Sequence, residues 1–460
     1  MTTNPICLRS ELRDTLKLAG PIMLSQVGNM SMGLVDTLVA GRISTTSLAG
    51  LGLAANVFWT FTSVCIGCLL ALDTFFAQSV GAKDERGLAR YFAQSLWLCG
   101  FVTLAAAVLT LGGAGLYLHF STPDATKAAF GNYVFTVTWS LPGVLLFFLL
   151  QRYWQARHHV RSFALIIVGA NVLHLVGNLA LGLGWWGFPR LEVKGLALST
   201  IISRSIMLLA AAVYTWIRFN RTAPKLERLD GATQRQLLKL GLPAAGHVAL
   251  EVGAFGLATL LVAELGAVSL AAHHVCLMMA AFTFMFPLGL SSAAAVRVGR
   301  FIGAGEPAHA RVAGWISIGL AVGVMACFSL GYLLVPRLLL GWFTRDPAVI
   351  ETGMGILFLV ALFQIADGIQ VSTTGALRGL GNTRAAFVAN LIGHYPIGLA
   401  LGIVLCFVLH RGVTGMWIGL ASGLASVGAI LLVVWRCKTR DLGKLRSVAI
   451  AEPVRSPSCR

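Results

Sequence analysis

Three carboxylates lie deep inside long apolar runs: Asp36 in NMSMGLVDTLVAG, Glu251 in GHVALEVGAFG and Asp367 in LFQIADGIQVS. Placing an ionised acid at the centre of a bilayer costs about 2.5–3.5 kcal/mol or more, so such residues face a cavity and bind or relay ions. The structural alternative is a carboxylate paired with a neighbouring helix. Arg204 is the one cation inside an apolar run, and it can neutralise at most one of the three. A partly buried acid can release a proton or Na+ as a cationic substrate binds and recover it later. That exchange is the minimal chemistry of an antiporter.

Polar neighbours could complete such sites. Asn171, His174 and Asn178 recur at helical spacing in NVLHLVGN and form one polar stripe on an otherwise apolar helix. Asn178 is expected to face Asp36 at similar depth, while Asn171 reads equally well as interhelical hydrogen-bond glue. Asp73 and Glu264 fall near span ends, which suggests interfacial or capping roles. His158-His159 and His273-His274 read as solvated or interfacial side chains. The pair Cys65 and Cys68 has metal-site spacing but no second pair and no nearby histidine, so the nine cysteines read as small apolar side chains. No phosphate-binding G-x-x-x-x-G-K-[ST], H-E-x-x-H or G-x-S-x-G motif occurs.

The elements that must position these groups follow from composition. Of 460 residues, 57% are hydrophobic and 12% charged, with a mean hydropathy of +0.80. A soluble domain carries roughly 25% charged residues, so soluble enzymes, nucleic-acid binders and disordered scaffolds are excluded. Twelve apolar stretches of spanning length are predicted, over 15–40, 48–72, 92–118, 130–151, 160–184, 193–217, 238–263, 269–293, 312–336, 347–374, 385–409 and 413–435. With the amino terminus inside, alternate loops and the tail hold 27 Lys and Arg, including Arg221, Lys225, Arg446, Arg455 and Arg460, against 7 on the other side. That bias predicts both termini in the cytoplasm and accounts for the net charge of +17 without a nucleic-acid partner.

The chain also repeats. At an offset of 222 residues Pro21 falls on Pro243, Ser47-Leu48-Ala49 on Ser269-Leu270-Ala271, Gly67 on Gly289, and Gly81-Ala82 on Gly303-Ala304. At an offset of 220, Leu179-Ala180-Leu181-Gly182 falls on Leu399-Ala400-Leu401-Gly402. Two lobes of six spans are expected: 1–217, a cytoplasmic linker 218–236, 237–436, and a cytoplasmic tail 437–460. Six is even, so both lobes enter the membrane alike, and parallel repeats of this kind place a cavity at their interface. The charges do not repeat: Glu251 falls on Asn29, and Asp36 falls on Ala258.

Several segments together resemble the multidrug and toxic compound extrusion (MATE) family in its NorM-like bacterial branch. They are LKLAGPIMLSQVGNMSMGLVDTLVAGR, ALDTFFAQSVGAK, LPAAGHVALEVGAFG, AAHHVCLMMAAFTFMFPLGLSSAAAVRVGRFIGAG and FQIADGIQVSTTGALRGLGNTR. The resemblance implies an all-α polytopic membrane protein with twelve transmembrane helices in two pseudo-symmetric six-helix bundles. It further implies export of organic, often cationic, compounds in exchange for Na+ or H+. By motif, Asp36 matches the first-helix acid, Glu251 the seventh-helix glutamate and Asp367 the tenth-helix aspartate of a cation site that could take Na+. Asn178 stands where some branches carry a second acid. Phe363, one turn before Asp367, stands where relatives present a hydroxyl, which removes one cation ligand.

The reading that follows is a bacterial inner-membrane antiporter without cofactor. Its partners would be small organic cations, amphipathic drugs and the lipid bilayer, and it would work as a monomer. A flippase for lipid-linked precursors is the alternative, but such a protein needs a basic cavity for its pyrophosphate, and the in-span charges here are mainly acidic.

Overall fold

The computed structural model describes residues 8–119, 123–219, 227–445 and 447–449. Cys7, Cys459, Arg221, Lys225, Arg446, Arg455 and Arg460, with parts of the linker and tail, lie outside these segments. Among the described residues eleven helices are long and apolar enough to cross a bilayer. They are α2 (Thr45–Gly81), α3 (Glu85–Leu118), α4 (Asp124–Ala156), α5 (Val160–Gly182), α6 (Glu192–Phe219) and α7 (Gly231–Ala263). The series continues with α8 (Ala267–Gly303), α9 (Pro307–Leu334), α10 (Pro347–Gly379), α11 (Arg384–Val408) and α12 (Gly412–Arg440). The leading helix α1 (Leu8–Ile43) has 36 residues and is roughly 54 Å long, ample for a crossing. Its lower apolarity comes in part from Ser25, Gln26, Asn29, Ser31 and Asp36.

An all-helical chain is the outcome hydrocarbon demands, since each span satisfies its own backbone groups. Leu104, Val108, Leu209, Trp216 and Leu260 are each more than 60% exposed on helix faces, as lipid-facing side chains are.

The chain divides into two compact units. The amino-terminal unit holds residues Leu24–Leu72 and Glu85–Ala245; the carboxy-terminal unit holds Met1–Met23, Asp73–Asp84 and Gly246–Arg460. Residues 23 and 245, where α1 and α7 change unit, are related by the 222-residue repeat and lie just beyond Pro21 and Pro243. Each unit therefore contains the first turns of the other repeat's leading helix.

In the carboxy-terminal unit those turns of α1 are held by Arg297 of α8, which donates to the Glu11 carboxylate, the Glu11 carbonyl and the Thr15 hydroxyl. In the amino-terminal unit the approach to α7 is held by α3. Gln94 Nε2 donates to the Arg228 carbonyl at 2.8 Å, Trp97 Nε1 to the Glu227 carbonyl at 3.0 Å, and Arg90 pairs with Asp230. The Thr233 hydroxyl and then the Arg90 guanidinium hold the Asp230 carboxyl at about 2, below its usual range.

The end of α2 and α8 shows how tightly the carboxy-terminal unit is packed. A Cβ on Gly81 would lie 2.0 Å from the Arg300 carbonyl oxygen, and one on Gly303 would lie 2.0 Å from that of Gln78. Gln78 and Arg300 are themselves 222 residues apart, so this contact is reciprocal within the repeat and glycine is required at both positions.

Beside it, Asp73 is fully buried and pairs with Arg378 Nε at 3.1 Å. The interfacial or capping role expected of Asp73 is thus replaced by a buried ion pair between α2 and α10. Gln78 Nε2 donates to the Gly379 carbonyl at 3.0 Å, and its Oε1 accepts from the Ser447 hydroxyl and the Val448 backbone at 2.9 and 2.8 Å.

Candidate functional site

The acids fall into two sites, one in each unit. In the amino-terminal unit, Asp36 of α1 is 4% exposed and heavily hydrogen-bonded. Its Oδ1 accepts from Asn178 Nδ2 at 2.7 Å and lies 2.9 Å from His174 Nε2. Its Oδ2 accepts from the Tyr133 hydroxyl of α4 at 2.9 Å and from Thr200 Oγ1 of α6 at 3.4 Å. Bonds to a charged group contribute about 1.5–3 kcal/mol each, so four partners offset much of the cost of burying this acid.

Local sequence explains how α5 delivers its side chains. At Asn178–Gly182 the helix widens into a π-turn, which re-aims Asn178 relative to the preceding turns. The neighbouring α6 comes close here: Ser199 Oγ donates to the His174 carbonyl at 3.0 Å, and Gly177 leaves room for it. Of the polar stripe, His174 and Asn178 reach Asp36, while Asn171 does not. Its Nδ2 donates to the Ile167 carbonyl of its own helix at 2.9 Å.

Arg204, the cation expected inside an apolar run, forms no ion pair with Asp36 among the described residues. Its Nη1 donates to Ser140 Oγ at 2.6 Å, and its guanidinium lies over the rings of Phe58 and Trp59, 5.2 and 5.3 Å from their centroids. It is close enough to Asp36 and Tyr133 for a Coulombic interaction.

In the carboxy-terminal unit, Glu251 of α7 and Asp367 of α10 are near enough to repel one another when both are charged. Asp367 is 3% exposed and Glu251 half-buried, and neither forms an ion pair among the described residues. The Gln370 side chain lies within hydrogen-bonding reach of Glu251. Its own Oε1 has no hydrogen-bond partner among the described residues. Two carboxylates and this amide oxygen are the hard oxygen donors that an alkali cation prefers. Phe363, one turn from Asp367, presents a ring to the Phe255 and Trp417 rings, each 6.1 Å away, and adds no oxygen.

An aromatic layer adjoins this pair on α7, α10, α11 and α12. Phe255, one turn past Glu251, lies 6.0 Å from the His394 ring. Tyr395 donates its hydroxyl to the Leu250 carbonyl at 3.3 Å. Trp417 Nε1 donates to His273 Nδ1 at 3.1 Å, so His273 holds its own proton on Nε2, 2.9 Å from Thr259 Oγ1. Thr259 donates in turn to the Phe255 carbonyl at 2.9 Å. The solvated or interfacial setting expected of His273 is corrected: the ring is fully buried in this chain of bonds. His394 differs, because neither ring nitrogen has a partner among the described residues although the ring is 1% exposed. An unmade bond at a buried polar atom costs about 1–3 kcal/mol.

Reasoning from the sequence missed Tyr133, Thr200, Gln370 and His394. The first three are uncharged side chains without motif. His394 did leave a signal, since the 220-residue offset places it on His174.

Among the described residues no cluster of three or more metal-ligating His, Cys, Asp or Glu side chains occurs.

With both sites defined, comparison with known proteins is informative. The sequence profile of the MatE family matches residues 21–180 and again 243–404, starting at Pro21 and at Pro243. A probable multidrug resistance protein NorM from Pseudomonas putida is 34% identical over 446 residues, covering 95% of this chain and 96% of the relative. The multidrug resistance protein NorM of Burkholderia vietnamiensis is 32% identical over 453 residues, covering 95% of this chain and 96% of its own length. In three dimensions the crystal structure of the Vibrio cholerae MATE transporter VcmN in the bent form superposes with a TM-score of 0.83. It covers 95% of this chain and 99% of that one at 18% identity, a likeness of fold. A doubled profile match on the repeat's own boundaries, full-length relatives and the shared all-helical fold lead to one conclusion: this multi-pass membrane protein belongs to the MatE family.

Proposed function

We propose that this chain is a secondary active efflux antiporter that exports organic, often cationic, compounds in exchange for Na+ or H+. The observation that carries the reading is the Glu251–Asp367 pair, a half-buried acid of α7 and a buried acid of α10 beside a layer of aromatic rings, with no ion pair to either among the described residues. Such a pair attracts positive charge, and the adjoining Phe255, Phe363 and Trp417 rings suit flat apolar bodies. The NorM relatives carry names of multidrug resistance proteins, which supports the same substrate class.

In this reading the repeats 1–217 and 237–436 act as two lobes that alternate access, joined by the linker 218–236 and followed by the tail 437–460. The excess of Lys and Arg on one set of loops supports cytoplasmic termini, and the bacterial NorM relatives support a place in the bacterial inner membrane. Each lobe supplies one acid site, so a monomer suffices. Asp36, with His174 and Asn178, is the amino-terminal coupling site, and Glu251 with Asp367 is the carboxy-terminal one.

The test is efflux of a fluorescent organic cation from pump-deficient cells carrying the wild type or Asp367→Asn. Efflux that collapses with the H+ or Na+ gradient and is absent in the variant is the expected result. No efflux from well-expressed wild type would overturn the reading and direct assays to lipid-linked precursors.

A further inference from the structure

We propose that His394 is a third titratable member of the carboxy-terminal coupling site and that the ion it takes is a proton. The inference rests on the antiporter reading and names its coupling ion in this unit.

The geometry begins with the repeat. His394 falls on His174 at an offset of 220 residues, in the same span of the other repeat; His394 lies within a π-helical turn and His174 one turn before one. His174 has Asp36 at 2.9 Å. The residue that falls on Asp36 is Ala258, whose methyl group offers nothing to an imidazole. The carboxy-terminal unit has therefore kept the histidine and lost the acid that would satisfy it. Both nitrogens of a ring that is 1% exposed are left without a partner among the described residues.

The π-turns at Gly393–Leu399 have a local cause in Pro396, which lacks the N–H that would close an ordinary turn. They hold the ring against Phe255 at 6.0 Å, one turn from Glu251, and Phe255 also touches Phe363, one turn from Asp367. The titratable groups on the packed elements are few. Helix α7 brings Glu251 and, one turn before it, the buried His247, and α10 brings Asp367; α12 meets this part of α11 through Gly419, Gly423 and Val427, and α11 itself adds Tyr395, bonded to the Leu250 carbonyl. The Lys and Arg of these helices stand near their ends, at Arg235, Lys239, Arg378, Arg384, Arg436, Lys438 and Arg440.

A buried imidazole without a partner is neutral here, because charging it in an apolar layer is costly. The same orphaned nitrogens make this conformation the less favourable one for the ring. A conformation that brings water or the Glu251 and Asp367 carboxylates to His394 is favoured by a proton on it, and that differential affinity is what lets an ion drive a conformational change. The step balances simply. The neutral ring gains one proton from water on the side of higher acidity, becomes imidazolium, and returns that proton to water on the other side. Imidazole suits H+ and serves poorly as a ligand for Na+, which prefers oxygen.

The full-length protein in liposomes tests this, with tetraphenylphosphonium as the transported cation and either a pH or a Na+ gradient imposed. The variants His394→Gln and His394→Asn each keep one hydrogen-bonding atom near a ring nitrogen but cannot hold the charge. Wild type should transport under the pH gradient without Na+, and both variants should lose that flux by on the order of 100-fold. Their thermal melting and equilibrium tetraphenylphosphonium binding should match wild type. Wild-type rates and pH profile in either variant would overturn the proposal. A wild type that responds to Na+ alone would also overturn it, with the antiporter reading intact and no variant needed. A wild type that moves the cation under neither gradient would instead overturn the antiporter reading.

Discussion

Asp36 in the amino-terminal unit and the Glu251–Asp367 pair in the other solve the same problem of burying acids in opposite ways. Around Asp36 four side chains from α4, α5 and α6 bond both carboxylate oxygens, although His174 Nδ1 and Asn178 Oδ1 have no partner among the described residues. Around Glu251 and Asp367 the surroundings are rings, the two acids oppose each other, and Gln370 Oε1 and both His394 nitrogens stay unsatisfied among the described residues. A carboxylate bonded on both oxygens is held in place, whereas acids with few donors around them are free to take a ligand. In the proposed antiporter the second site would give transport its ion dependence, while the first would also stabilise its unit.

The comparison would be broken most directly by Glu251→Gln and Asp367→Asn. Each should lower gradient-driven efflux on the order of 100-fold while leaving the melting temperature of the purified protein unchanged or raised, because a mutually repelling acid is removed. A clear fall in melting temperature would show that these acids hold the fold.

Asp36→Ala should behave differently, losing transport and about 3 kcal/mol of stability as its donors are stranded, measurable by thermal unfolding in detergent. Tyr133→Phe deletes one donor and keeps the ring; about 1–2 kcal/mol should be lost, whereas Gln370→Leu should be nearly neutral in the same assay. Equal costs for the two would erase the contrast.

The smallest effect concerns the loop before α7. The carboxyl of Asp230 is held at about 2 in the folded protein against about 3.9 in an unfolded chain. Its contribution is therefore complete above pH 4 and lost as pH falls from 4 towards 2. Side-chain exposure of 35% for Asp230 and 39% for Arg90 screens the pair, leaving about 0.5 kcal/mol. Asp230→Asn should flatten the acid limb of the stability curve by that amount.

Much of this was legible in the sequence because hydrocarbon leaves helices few choices. The spans, the repeat and the three in-span acids follow from apolar run length and from the cost of stray charge. Asn178 facing Asp36 was legible from the stripe on α5. Asn171 shares that stripe yet stays out of the site, because periodicity places a side chain on a face without saying where on it a neighbour sits. Burial of His273 was hidden by a helix that starts at Ala267, which puts the ring a full turn inside, against Trp417. The Asp73–Arg378 pair joins residues about 300 positions apart, and no local pattern announces such a partner.

The exchanged helix beginnings have a consequence for how the protein is made. The amino-terminal unit includes residues up to Ala245, so its packing cannot be finished when the sixth span leaves the ribosome; α3 must wait for Asp230, Gln234 and Gln236 to emerge. The first turns of α1 wait longer, since Arg297, which holds Glu11 and Thr15, is translated nearly 290 residues after them. The two halves of the gene product are thus interlocked at birth, and a truncated first half would reach the membrane with one of its surfaces still unmet.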